Sequence, residues 1–203
     1  MNLLLDDFPC CLNGIPIDTD YRRMVQFELL LLDDTVPAAD KMLLAPGLIF
    51  LKPTPDLQKA WDGLLWYYRC GQEPEENKQE NYCTKRMYDF EQDAQRIYTA
   101  FLQEYQIDLQ KEPLHWFKFH TLLVNLPHDS PFGQIMYYRT VNLAQLKGEE
   151  RKHAMRMQSR FALDRPKATT QAQRDMEFLA RIEQRRKYLQ AQLDRKRGEM
   201  NGS

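Results

Sequence analysis

The chain has 203 residues, 43% of them hydrophobic and 28% charged, with a formal net charge of −1, which is typical of a globular protein and excludes a disordered chain. Its longest apolar runs, such as Phe27 to Leu32, are far shorter than the roughly 20 residues that span a bilayer. The MNLLLDDF start lacks the basic residues of a signal peptide, so we expect a cytosolic protein without membrane contact.

The first third of the chain predicts short helices separated by turn residues. Residues 1–16 form a leader segment with a turn at Asn13-Gly14, and a short hairpin before residue 20 stays an open alternative. Asp18 or Thr19 is the predicted N-cap of a first helix that ends at Asp33-Asp34. Pro37 begins a second helix, and Asp56 begins a third that reaches Cys70. The polar stretch from Gly71 to Thr84 is predicted to be a surface loop.

The segment from Tyr88 to Leu126 carries the clearest helical pattern. Asp89 is the predicted start of a central helix, with Gln92 completing a capping box. Pro113 and Pro127 bound the helix that follows. Steps of three and four residues relate the apolar positions, which predicts buried helix faces rather than strands. These positions are Phe90, Ile97, Phe101, Leu102, Tyr105, Leu114, Trp116, Phe117, Phe119, Leu122 and Leu123.

The remainder predicts one more core helix and a charged tail. Pro131 begins a helix whose pattern extends through Val141, Leu143 and Leu146. From residue 149 to 197 there are 14 Lys and Arg against 7 Asp and Glu, with a thin apolar stripe. This segment has too few apolar residues to form a core of its own. We expect it to pair with a partner or to stay loosely helical.

These elements predict an all-α protein, a compact multi-helix domain with a long charged C-terminal helix. The predicted division is a leader at residues 1–16, a helical domain at residues 17–163 and a basic helical tail at residues 164–203.

No residue pattern indicates catalysis, a metal or a cofactor. His115 and His120 are five positions apart and point in different directions on a helix, unlike a zinc-binding pair. The acids Asp89, Glu91 and Asp93 suit a helix start, where they interact favourably with the helix dipole. There is no glycine-rich phosphate loop and no nucleophile elbow. We therefore expect a protein that is not an enzyme.

The basic tail raises the alternative of nucleic-acid binding. Arg181, Arg185 and Arg186 could neutralise phosphates along one helix. Acidic residues are interspersed among them, however, and a solvated, ion-paired helix face is the commoner outcome of such a run. We expect an acidic or helical protein partner and consider nucleic acid the weaker alternative.

Four segments together resemble the bacteriophage family named after "gene product fifteen". They are IDTDYRRMVQFELLLLD (Ile17 to Asp33), YDFEQDAQRIYTAFLQEYQIDL (Tyr88 to Leu109), LHWFKFHTLLVNL (Leu114 to Leu126) and IMYYRTVNL (Ile135 to Leu143). Each segment alone is an ordinary amphipathic stretch, but their order and spacing resemble those of the family. The tail after Pro166 lies outside this resemblance.

The resemblance implies a non-enzymatic role in the assembly of long phage tails. Genes of this family typically lie just before the tape-measure gene, in the position of tail assembly chaperones. Such chaperones bind the tape-measure protein, assist polymerisation of the tail-tube protein, often work with a frameshift-related partner, and are absent from the finished virion. The resemblance therefore implies a chaperone in the host cell cytoplasm. It leaves open a structural virion component, such as a tail-completion or head–tail connector protein, and an oligomer.

Candidate partner-binding residues follow from this role. Aromatic and arginine side chains dominate interface energetics. The candidates are Phe90, Trp116 and Tyr137, for each of which core packing is the favoured alternative, together with Arg181, Arg185 and Arg186 of the tail.

Overall fold

The computed structural model describes residues 2–72 and 86–164, and it begins with a hairpin inside the predicted leader. Strand β1 (Cys11–Leu12) pairs antiparallel with β2 (Ile15–Pro16). Asn13 and Gly14 between them both have positive φ, 51° and 76°, as a tight two-residue hairpin turn requires. Leu12 is buried in the core, so the hairpin belongs to the folded body.

Eight helices follow in the part of the chain that the structure describes. They are α1 (Tyr21–Leu32), α2 (Ala38–Leu44), α3 (Pro46–Ile49), α4 (Leu57–Tyr68), α5 (Ala94–Tyr105), α6 (Trp116–Val124), α7 (Pro131–Thr140) and α8 (Gly148–Arg160). The prediction of a mainly helical fold is therefore confirmed, with the short hairpin as an addition. The long charged C-terminal helix lies outside the described residues, and the division into leader, domain and tail stays a prediction.

Local capping signals place several of these helices where the sequence predicts them. The Asp56 side chain accepts a hydrogen bond from the Lys59 amide and begins α4. Ser130 accepts from the Gly133 amide, and Pro131 follows it in the first turn of α7. Asp33 ends α1 as expected. The predicted cap of α1 is wrong by one or two residues, because Asp20 caps it, whereas Asp18 binds the Arg23 guanidinium at 2.6 Å.

Two predicted extensions of helices are wrong. Asp89 accepts from the amides of Glu91 and Gln92 and begins a turn, and α5 begins only at Ala94. The second case is α7, which ends at Thr140 and does not continue through Val141 to Leu146 as predicted. There the Asn142 side chain accepts from the Ala144 amide, a local turn that competes with helix continuation.

The core is built around α6, which packs against α1. Trp116, Phe117 and Phe119 from this helix are all buried. The Phe119 ring stacks between Tyr21 of α1 and Phe101 of α5, with centroid distances of 4.2 and 4.9 Å. One aromatic stack therefore ties three helices together, and it fixes which residues remain at the surface.

Candidate partner-binding surface

The three predicted aromatic anchors differ in their exposure to solvent. Phe90 and Trp116 are buried and their rings lie 6.5 Å apart, so in this structure neither ring offers surface to a partner. Tyr137 on α7 is 42% exposed and keeps surface available. Arg181, Arg185 and Arg186 lie outside the described residues.

Four leucines between the end of α1 and residue 51 are exposed. Leu43 and Leu51 are each 63% exposed, and Leu32 and Leu44 are each 40% exposed. We call these four residues the leucine surface. Helix α2, which carries two of them, has no buried residue, although it packs against α3 and α4. Its apolar side chains therefore contribute little to the core of this chain.

The backbone under the leucine surface is held by specific contacts. The Lys41 ammonium donates to the Leu31 carbonyl at 2.7 Å and so links α2 to the end of α1. The neighbouring Ala45 and Ile49 are buried in the core. The exposed leucines thus project from a backbone held in place by these contacts. A partner would therefore have less backbone conformational entropy to remove on binding.

Acidic side chains accompany the leucine surface. Asp34 and Asp40 are exposed and stand in the chain between Leu32 and Leu43. Among the residues that the structure describes, neither carboxylate forms an ion pair. The surface therefore combines apolar area with unpaired negative charge.

A second exposed apolar segment lies at the N-terminus. Leu4 and Leu5 are 93% and 82% exposed. Phe8 stacks on the His115 ring at 4.7 Å, and the Pro9 carbonyl lies 3.1 Å from His115 Nε2. The same histidine caps α6, because its Nδ1 accepts from the Phe117 amide. His115 therefore connects the N-terminal segment to the central helix, and burial lowers the pKa of its ring.

No group of three or more His, Cys, Asp or Glu in residues 2–72 and 86–164 is placed to hold a metal ion. Burial raises the pKa of the Glu28 carboxyl, whose Oε2 accepts from the Tyr68 hydroxyl at 2.7 Å. Within the same ranges, no helix is both long and apolar enough to cross a membrane.

A comparison with protein families identifies the chain. The family model described as Bacteriophage Gp15 protein matches residues 11–163. The chain belongs to this bacteriophage Gp15 family. The resemblance drawn from the four sequence segments is therefore confirmed. No curated protein and no solved structure matches the chain.

Within this Gp15 chain, sequence reasoning missed a buried ion pair. Arg139 of α7 donates to both carboxylate oxygens of Asp93, at 2.5 and 3.0 Å, and to the Met87 and Phe161 carbonyls. The sequence pattern treats Asp93 as a helix-start acid and does not single out Arg139. The one signal in the sequence is a charged residue beside the apolar and aromatic residues 135–138, and it does not identify the partner.

The Gp15 match includes all eight described helices and begins at β1. The exposed N-terminal leucines precede it. The leucine surface lies inside the match.

Proposed function

We propose that this Gp15 protein is a tail assembly chaperone that binds the tape-measure protein in the host cell cytoplasm and assists assembly of the tail-tube protein around it. Family membership supports a phage-related role, and the resemblance implies the position beside the tape-measure gene. A frameshift-related chaperone is a further expected partner, and the finished virion is expected to lack this chain.

The observation that carries the proposal is the leucine surface. A tape-measure protein is a very long helix whose apolar stripes would aggregate if left bare. Such a stripe fits an apolar surface by helix-in-groove recognition. Each fully covered leucine contributes about 1.5–3 kcal/mol of favourable burial. Leu43 and Leu44 are adjacent on an anchored helix that contributes nothing buried to its own core, so they are available for such contact.

Co-expression with fragments of the neighbouring tape-measure protein tests this function. The readouts are the soluble fraction of each fragment and the mass of the purified complex. Wild-type chain is expected to keep apolar fragments soluble, and Leu43→Ser with Leu44→Ser is expected to lose most of that effect. The matched control is Leu102→Ser on α5, which removes a leucine of similar exposure from another helix and is expected to change little.

Two results would overturn the proposal. One is equal accumulation of soluble tape-measure protein with and without the chain. The other is the presence of stoichiometric copies of the chain in purified particles, measured by mass spectrometry. That second result would instead favour the alternative of a structural virion component.

A further inference from the structure

Helix α8 carries the most concentrated positive charge in the described chain. Lys147, Arg151, Lys152, Arg156 and Arg160 lie on or directly before it, against only Glu149 and Glu150. Elsewhere the described residues contain 11 Lys and Arg against 18 Asp and Glu. The helix is therefore a basic element on an acidic body.

The two sides of α8 differ in what they contact. Ala154 is its only buried residue within the described chain, and the Gln158 amide donates to carbonyls at the end of α7. On the opposite side Lys152, Met155, Arg156 and Arg160 follow steps of three and four residues, and all are exposed. We call these four residues the outer face of α8. Met155 is 51% exposed and supplies an apolar side chain at one edge of this face.

The outer face of α8 is complementary to the leucine surface. One surface has a methionine beside three cations, and the other has four exposed leucines together with the exposed carboxylates of Asp34 and Asp40, which form no ion pair with a described residue. Methionine adapts its shape to an apolar surface, and opposite charges around an apolar centre fix register and partner choice. Among the described residues Lys152 is bonded only to the exposed Glu149, and such an exposed pair contributes little to stability.

We propose that the outer face of α8 of one copy docks on the leucine surface of a second copy of this chain. Within the described residues α8 packs on α7 whereas α2 packs on α3 and α4, and the side chains of both surfaces are exposed there. The contact joins two different surfaces and is heterologous. Each added copy therefore leaves one surface of each kind free, and the assembly closes into a ring if the rotation between copies permits and otherwise extends as a filament.

This proposal also gives the leucine surface an occupant before any tape-measure segment arrives. Self-association keeps the apolar area covered, and a tape-measure helix has to displace α8 of the neighbouring copy. Self-association is measured on the chain alone, so it can fail without any consequence for the chaperone role, and the reverse also holds.

Sedimentation velocity on the full chain and two charge-reversed variants tests the contact. One variant carries Asp34→Lys and Asp40→Lys, and the other carries Arg156→Glu and Arg160→Glu. Wild-type chain is expected to form concentration-dependent oligomers that weaken as NaCl rises from about 0.05 to about 0.5 M. Each variant alone juxtaposes like charges and is expected to associate at least about tenfold more weakly.

Mixing the two variants gives the decisive result. Every contact in the mixture can again pair opposite charges, so oligomers of wild-type size are expected to return. Leu43→Ser is expected to weaken association, whereas Leu102→Ser is not. A monomeric wild-type chain at low salt would overturn the proposal. So would a failure of the mixed variants to associate while circular dichroism shows both to be folded.

Discussion

Asp93 lies between two arginines of different exposure, and the contrast shows what burial does to an ion pair. Arg139 is 5% exposed and reaches the carboxylate from 46 positions away. Arg96 contacts Asp93 Oδ1 at 2.7 Å but is 48% exposed. Burial alone would raise the pKa of Asp93, yet hydrogen bonds from Arg139 and Arg96 outweigh it and hold this pKa below its ordinary value.

The two arginines are therefore expected to differ strongly when removed. Arg139→Ala leaves a buried carboxylate without its main partner and frees the Met87 and Phe161 carbonyls, so we expect a loss of about 3–5 kcal/mol of unfolding free energy. Arg96→Ala is expected to cost less than about 1 kcal/mol, since its pair is solvent-screened. Urea denaturation followed by circular dichroism measures both. Equal losses would contradict the assignment of Arg139 as the structural partner.

His115 gives the fold a pH-dependent contact. Its Nδ1 accepts from the Phe117 amide, so the ring hydrogen lies on Nε2, beside the Pro9 carbonyl and the Tyr67 hydroxyl. Burial lowers the pKa of the ring and outweighs the opposing effect of the Pro9 carbonyl. The folded state consequently favours neutral His115, and protonation would remove the cap of α6.

The sign of the pH effect follows from the lowered pKa. The contribution is fully present above the unfolded histidine pKa of about 6.5, and it is lost as the pH falls through the folded value. We expect the unfolding free energy of the wild type to fall more between about pH 7.5 and about pH 5.5 than that of His115→Asn. Asparagine still caps the helix but does not titrate. His120, whose pKa burial also lowers, is unchanged in both proteins and cancels. Parallel pH profiles would refute the role of His115.

At the scale of elements, helix α7 depends on a glycine for close packing at its first turn. A Cβ built on Gly133 would lie 2.1 Å from the Pro127 carbonyl oxygen and 2.7 Å from the capping Ser130 Oγ. The backbone carbonyl cannot move aside without disturbing the turn that begins the helix. Gly47 in α3 offers a matched comparison, because a Cβ there would meet nothing within 4 Å.

Gly133→Ala is therefore expected to destabilise the protein although alanine is the better helix former. Overpacking costs about 1–3 kcal/mol, which exceeds the propensity gain of up to about 1 kcal/mol. Gly47→Ala is expected to be neutral or slightly stabilising. Thermal unfolding of the two variants measures the difference. An unchanged or raised melting temperature for Gly133→Ala would show that the first turn of α7 adjusts freely.

The sequence predicts those elements that local contacts decide. Asp56, Pro131 and Asp33 act through neighbouring residues, and the helices begin or end there as expected. The sequence predicts that Asp89 begins the central helix, but α5 starts only after Asp93, whose carboxylate is bound by Arg139 of α7. Nothing near Asp93 in the chain reveals a partner 46 positions away, so this boundary could not be placed from the sequence.

The candidate surface was less accessible to prediction than the fold. Helical spacing identifies apolar residues but not which of them the neighbouring helices cover. Phe90 and Trp116 are aromatic residues of the kind common at interfaces, but both are buried in the core. Leu43 and Leu44 fit an ordinary short helix, yet α2 buries none of its residues, whereas the flanking Val36, Ala45 and Ile49 are buried.

At the scale of the whole molecule, the described core and the basic tail of residues 164–203 raise separate questions. The hydrophobic core cluster runs from Leu12 to Met136, and its members all belong to the described body. The tail sequence contributes few apolar residues and many cations. The stability of the body and the binding of a partner can therefore be tested with the same truncation.

A chain that ends after Asp164 is expected to unfold cooperatively, with a free energy within about 0.5 kcal/mol of the full chain, because the core residues are all retained. Co-expression with tape-measure fragments then locates the contact. If the truncated chain keeps fragments soluble and Leu43→Ser with Leu44→Ser abolishes this in both lengths, the leucine surface suffices. If truncation alone abolishes binding while the fold persists, Arg181, Arg185 and Arg186 become the first residues to replace. Loss of cooperative unfolding after truncation would contradict the predicted division of the chain at residue 163.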